Sequence, residues 1–163
     1  MSSLEVVRIV SWIERHEVCY QINGGWAVDA LAGRQTRAHD DLDLFVDAAF
    51  VPDLLRWLHA EGYAEEVNEW PARVQLRRDR LRVDVHPMAL DSAGNGTQSN
   101  AAGEVIYLHP AEARTTGHID GHPVYVATAA RLRELREGYT PREQDRHDLQ
   151  LLSQLSRQIG RRQ

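Results

Sequence analysis

The residues best suited to chemistry are Asp41 and Asp43, which alternate with apolar residues in Asp41-Leu42-Asp43-Leu44-Phe45-Val46. Successive strand side chains point to opposite faces, so the two carboxylates share one face while Leu42, Leu44 and Val46 face a core. Two acids on one strand face repel each other, and burial raises the pKa of at least one. A divalent cation removes that conflict. Magnesium takes hard oxygen ligands from a few carboxylates and completes its shell with water and phosphate. Upstream, Ile22-Asn23 leads into Gly24-Gly25 and a helix-like stretch. A glycine pair there permits close backbone approach to a phosphate, with unpaired N–H groups at a helix start. Glycines and acids together point to a metal-nucleotide site.

Gly24-Gly25-Trp26-Ala27-Val28-Asp29, Gln35-Thr36-Arg37-Ala38-His39 and Asp41-Leu42-Asp43 resemble the signature of small antibiotic nucleotidyltransferases. The relatives in view are the short lincosamide nucleotidyltransferases and the aminoglycoside 2''-adenylyltransferases, in the superfamily marked by a glycine pair followed by Asp-x-Asp. The resemblance covers nearly the whole chain. A bare Asp-x-Asp is a weak signal, equally the pattern of a solvated strand edge; the order of glycines, Trp, Asp and His is what makes it specific. The resemblance implies an α+β fold, a minimal nucleotidyltransferase with a mixed, twisted β-sheet flanked by helices. It also implies a third acid, Asp84, on a separate strand, beside Asp41 and Asp43. Either Asp84 binds a second metal or it accepts the acceptor hydroxyl's proton.

The implied reaction is magnesium-dependent transfer of a nucleoside monophosphate from a nucleoside triphosphate, with ATP the expected donor, to a hydroxyl of a small antibiotic-like acceptor. Gly24 and Gly25 are expected to cradle the phosphates. Arg37 suits phosphate oxygens by its guanidinium geometry or is a solvated loop residue. His39 either touches a phosphate or holds its loop. His86, in Asp84-Val85-His86-Pro87 followed by Leu90-Asp91 and Gly94, resembles the lincosamide enzymes. It either lines the acceptor pocket or ends a strand before Pro87. This run tilts the expected acceptor toward lincosamides. A polycationic aminoglycoside needs acids around it, for which Glu65, Glu66, Glu69 and Glu104 are candidates. Competing readings are a protein-nucleotidylating, antitoxin-like enzyme and a non-catalytic nucleotide-binding module.

At 163 residues, with 42% hydrophobic and 26% charged residues, one domain spanning 1–163 is expected, with C-terminal helices over about 127–159 packed on it. No apolar run is long enough to span a membrane, and Glu5 and Arg8 interrupt any signal-like start. A cytoplasmic location is therefore expected. Cys19, the single cysteine, excludes an internal disulfide and reads as a buried strand residue. The net charge of −5 argues against a broad nucleic-acid surface. A small-molecule acceptor is the expected partner, for a monomer or homodimer.

The positioning elements follow from periodicity. Ser2-Ser3-Leu4-Glu5 opens a helix expected over about 3–16. A short strand over 18–22 delivers the glycine pair, and a helix over 26–31 stops at Gly33. Trp26 is expected to pack in the core rather than stack on a base, and Asp29 to be structural. A helix from Val51-Pro52-Asp53 ends at Gly62, and a strand follows over 63–67. Strands over 72–77 and 81–86 alternate cleanly, with Arg82, Asp84 and His86 on one face. The polar run 91–103 reads as a loop, 104–108 and 121–126 as strands, and 128–137 as a helix ended by Gly138. Thr140-Pro141-Arg142-Glu143 opens a last helix to about Ile159. On it Asp145 and Asp148 share a face, and Asp145 reads as an N-terminal acid complementing the dipole. The tail, 161–163, is expected to fray.

Overall fold

The computed structural model describes residues 1–137 and 140–160, with side chains described through Arg157. Gly138, expected to stop a helix, the Ile159 side chain and the 161–163 tail lie outside the described residues. The helices are α1 (Ser3–Glu14), α2 (Gly24–Ala32), α3 (Val51–Ala60), α4 (Ala129–Glu134) and α5 (Glu143–Gly160). The strands are β1 (Tyr20–Ile22), β2 (Asp41–Asp47), β3 (Ala64–Glu69), β4 (Arg73–Arg78), β5 (Leu81–Leu90), β6 (Gly96–Ser99), β7 (Val105–His109), β8 (Arg114–Ile119) and β9 (His122–Ala127). They form a mixed sheet in the order β3-β4-β5-β2-β1-β9-β8, with β6 and β7 extending from the far end of β5. The α+β expectation holds.

Local rules explain most element ends. The Ser2 hydroxyl accepts the Glu5 N–H and caps α1. Gly33, at φ +68°, ends α2 in the left-handed conformation. In β2, β4 and β5 alternation sends Leu42, Leu44, Val74, Leu76, Val83 and Val85 inward. These are fully buried in one cluster with Val6, Ile9, Val10 and Ile13 of α1 and Leu54 and Leu58 of α3. That cluster fixes which sheet face is apolar, and therefore which face carries Asp41 and Asp43.

Several expectations need correction. The strand holding Asp84 does not stop at His86 but continues through Pro87 to Leu90. Pairing with β4 ends at Val85, and pairing with β6 begins at Ala89. Pro87, which has no N–H, sits in the interval between the two ladders. The 91–103 run is not one loop: β6 lies within it, because pairing with β5 and β7 overrides the polar composition. Helix α5 starts at Glu143, not at Thr140; the Asp145 carboxylate accepts the Arg142 backbone N–H at 2.9 Å instead. Cys19 precedes β1 and is only half-buried, with its thiol pKa pushed up chiefly by burial. Trp26 is 2% exposed, a core residue as expected.

Candidate active site

Strands β2 and β5 run parallel, and their register places Asp43 beside Asp84 and Asp41 beside Arg82. Asp41, Asp43 and Asp84 thus occupy one sheet face. Burial first, and the Asp43 charge second, push the carboxyls of Asp41 and Asp84 above the ordinary range. Asp84 accepts a hydrogen bond from Gln75 at 2.9 Å and has only a loose ion pair with Arg73, at 3.7 Å. Arg82 turns toward Glu66 at 3.9 Å.

Helix α2 begins against these acids. The Asn23 N–H donates to the Asp43 carbonyl at 3.0 Å, tying the turn to β2. Gly24 has φ +61°, and a Cβ there would lie 2.0 Å from Oδ2 of Asp43. Glycine is the residue that allows this approach. No side chain caps α2: the Asn23 Oδ1 accepts from Gln21 instead, at 2.8 Å. The first N–H groups of the helix are thereby left for an anion.

Gly25 is equally constrained. A Cβ would meet a terminal nitrogen of Arg37 at 2.3 Å and Nδ1 of His39 at 2.5 Å. Arg37 and His39, expected at the nucleotide or in its loop, each pair with a protein acid. Arg37 forks onto Asp148 through two 2.9 Å bonds and donates to the Ala38 carbonyl at 3.1 Å. His39, buried, pairs through Nε2 with Asp29 at 2.6 Å. Asp29 also accepts the N–H and hydroxyl of Thr36. Burial opposes ionisation of Asp29, but the bonds from His39 and Thr36 outweigh it and lower its pKa. Asp29 is structural, as expected.

A cleft of about 270 Å³ opens beside Asp43. Asn23 and Gly24 line one side, and Leu132, Leu135, Arg136 and Arg142 another. Phe45, His86, Gln98, Tyr107 and His109 complete it. His86 stacks on Phe45, ring centroids 4.4 Å apart and planes within 9°. Its Nε2 lies 3.8 Å from Asp43 and its Nδ1 3.2 Å from Gln98. Burial, then the Arg131 charge, lowers the His109 pKa to about 4, which keeps that ring neutral. Gln98, His109 and Arg136 were not singled out by sequence reasoning. No local pattern marks them, since they reach the cleft from β6, β7 and the end of α4. Asp145 and Asp148 had a signal in their shared helix face; both are buried, at 4% and 1% exposure.

The donor set suits a hard divalent cation: carboxylate oxygens, two of them with raised pKa values, beside a turn with unpaired N–H groups. Among the described residues no three acid, histidine or cysteine side chains are already gathered around one point. Among the described residues, too, no helix is long and apolar enough to cross a membrane.

Comparison with known proteins agrees with this geometry. Residues 5–152 match the family described as aminoglycoside-2''-adenylyltransferase. A lincosamide resistance protein of Staphylococcus haemolyticus is 30% identical over 153 residues, covering 93% of this chain and 94% of that one. The crystal structure of the lincosamide antibiotic adenylyltransferase LnuA, lincomycin-bound, superposes with a TM-score of 0.86 at 28% identity, over 95% of this chain and 98% of that one. The solution structure of the antibiotic-resistance factor ANT(2'')-Ia, at 18% identity, shares the fold with a TM-score of 0.70, over 98% and 91% of the two chains.

Proposed function

The chain belongs to the aminoglycoside-2''-adenylyltransferase family, and from that premise we propose that it transfers AMP from ATP to a hydroxyl of a lincosamide-type antibiotic. As a member of that family it is a nucleotidyltransferase. We read residues 1–163 as one catalytic domain acting in the cytoplasm, where the triphosphate is available. The observation that carries the reading is the register of β2 and β5, which sets Asp84 beside Asp43 on the face where Asp41 and Gly24 also lie.

Asp41 and Asp43 would hold magnesium. When bound, the ion supplies charge neutralisation at the α-phosphate and the leaving group. The acceptor oxygen forms a bond to the α-phosphorus, the bond from that phosphorus to the bridging oxygen breaks, and pyrophosphate leaves with the electron pair. We assign the hydroxyl's proton to Asp84, whose raised pKa suits a general base. The uncapped start of α2 receives phosphate oxygens. Arg37 and His39 serve the nucleotide at one remove, by supporting Gly25.

The acceptor class follows from the cleft wall. Its aromatic and aliphatic members, Phe45, Tyr107, Leu132 and Leu135, suit an amphiphilic sugar-containing molecule. Its one acid besides Asp43 is Asp145, which is taken up by Arg142 at 2.9 Å. Glu65, Glu66, Glu69 and Glu104, candidates for an aminoglycoside lining, are not part of this wall. Two arginines in it disfavour a polycation. Incubation with magnesium, labelled ATP and a panel of lincosamides and aminoglycosides tests this. We expect labelled lincosamide; label on aminoglycosides alone refutes the lincosamide class, and no labelled antibiotic refutes the antibiotic-acceptor reading.

A further inference from the structure

We propose that Arg136 binds the β- and γ-phosphates of the donor and stays with them as pyrophosphate leaves, oriented by Asp148. This rests on the nucleotidyl-transfer reading above. The Arg136 side chain is 8% exposed and lines the same cleft as Asn23, Gly24 and Asp43. One terminal nitrogen donates to the Leu132 carbonyl at 2.8 Å and the other to Asp148 at 3.0 Å. Its Nε is buried and has no partner among the described residues. A guanidinium carries five N–H donors, and a buried one left unpaired is costly. Arg136 thus stands on the wall of the cleft with donor capacity that the Leu132 carbonyl and Asp148 do not use up.

Its carboxylate partner is already taken. Both oxygens of Asp148 accept from Arg37 in a fork, so Arg136 donates its one bond to an acid that another cation has occupied. A single buried carboxylate therefore serves two guanidiniums. Through it Arg136 is connected to the start of α2, since the Arg37 guanidinium packs on Gly25. Two anion-seeking features, the uncapped helix start and a partly unpaired arginine, thus border the cleft that Asp43 also lines. A phosphate chain spanning from the cation-binding acids to the helix start satisfies both. The cleft's other arginine, Arg142, donates to Asp145 through backbone and side chain.

The test is calorimetric titration of the full chain with magnesium pyrophosphate, magnesium ATP and AMP, with thermal unfolding of each ligand-free variant measured alongside. Arg136→Gln is expected to weaken pyrophosphate and ATP at least about tenfold and to leave AMP within about twofold. Arg136→Lys, which keeps the charge and guards against misfolding of the glutamine variant, is expected to lose less, again for pyrophosphate and ATP only. Asp148→Asn, acting through Arg136, should raise KM for ATP more than KM for the acceptor. A folded Arg136→Gln protein with wild-type pyrophosphate affinity overturns the proposal. So does an equal loss for AMP and pyrophosphate, or a wild-type chain that binds no pyrophosphate. If binding depends on Arg136 while no antibiotic is labelled, the acceptor reading fails and this one stands.

Discussion

Replacing Gly24 with alanine separates the backbone's tolerance for a side chain from the site's need for the Asp43 carboxylate. The left-handed φ of +61° costs a non-glycine residue about 1–2 kcal/mol. For a chain of this size that lowers Tm by about 2–8 °C. The steric term falls on the chemistry instead. The new Cβ would stand 2.0 Å from Oδ2 of Asp43, where ordinary contact begins at 3.4 Å, so the carboxylate must swing away by about 1.4 Å. A short side chain can rotate that far without unfolding the protein, but it leaves the position from which Asp43 is proposed to hold the cation. Misplacement by about 1 Å costs roughly 10²-fold in rate, or about 2.7 kcal/mol of barrier. Pyrophosphate release gives kcat/KM for Gly24→Ala, Asp43→Asn and the double variant. Because both changes act through one carboxylate, the double variant should be no slower than Asp43→Asn alone. Gly24→Ala within about threefold of wild type, or losses that multiply in the double variant, refutes this coupling.

Three further outcomes follow from the same geometry. Asp84→Asn keeps the shape that Gln75 bonds but cannot take a proton, so kcat should fall about 10²–10⁴-fold with ATP affinity retained; a loss confined to KM for ATP contradicts the base assignment. Asp41 and Asp84 have raised pKa values in the folded chain, so without a cation their ionisation removes stability as pH rises through those values. Magnesium should therefore raise Tm more at about pH 8 than at about pH 5, and a pH-independent shift counts against the cation site. Gly117→Ala places a Cβ 2.8 Å from backbone and side-chain atoms of Ala30, in the contact between β8 and α2. Backbone cannot yield as a side chain can, so stability should drop by about 1–3 kcal/mol; an unchanged melting curve contradicts that packing.

The shared face of Asp41, Asp43 and Asp84 was legible because its information is local. Alternation along 41–46 and 81–86 assigns each side chain to a face whatever the strand pairs with, and a glycine pair before a helix has few uses. The misread segments are those where pairing partners decide. Polar residues 96–99 became a strand because β5 and β7 flank them. Pro87 did not end β5 because its missing N–H falls between two ladders.

Residue types and spacing by themselves determined the acid face, the glycine turn and the apolar face beneath them, since strand and helix periods depend only on near neighbours. Tertiary structure alone decided that Asp84 stands beside Asp43 rather than Asp41. It also drew Arg37 onto Asp148, across more than a hundred residues, and turned Arg136, Gln98 and His109 into the cleft. Those placements come from strand register and helix docking, which are set by how distant apolar faces pack together, and no pattern within a few residues of any of these side chains encodes them.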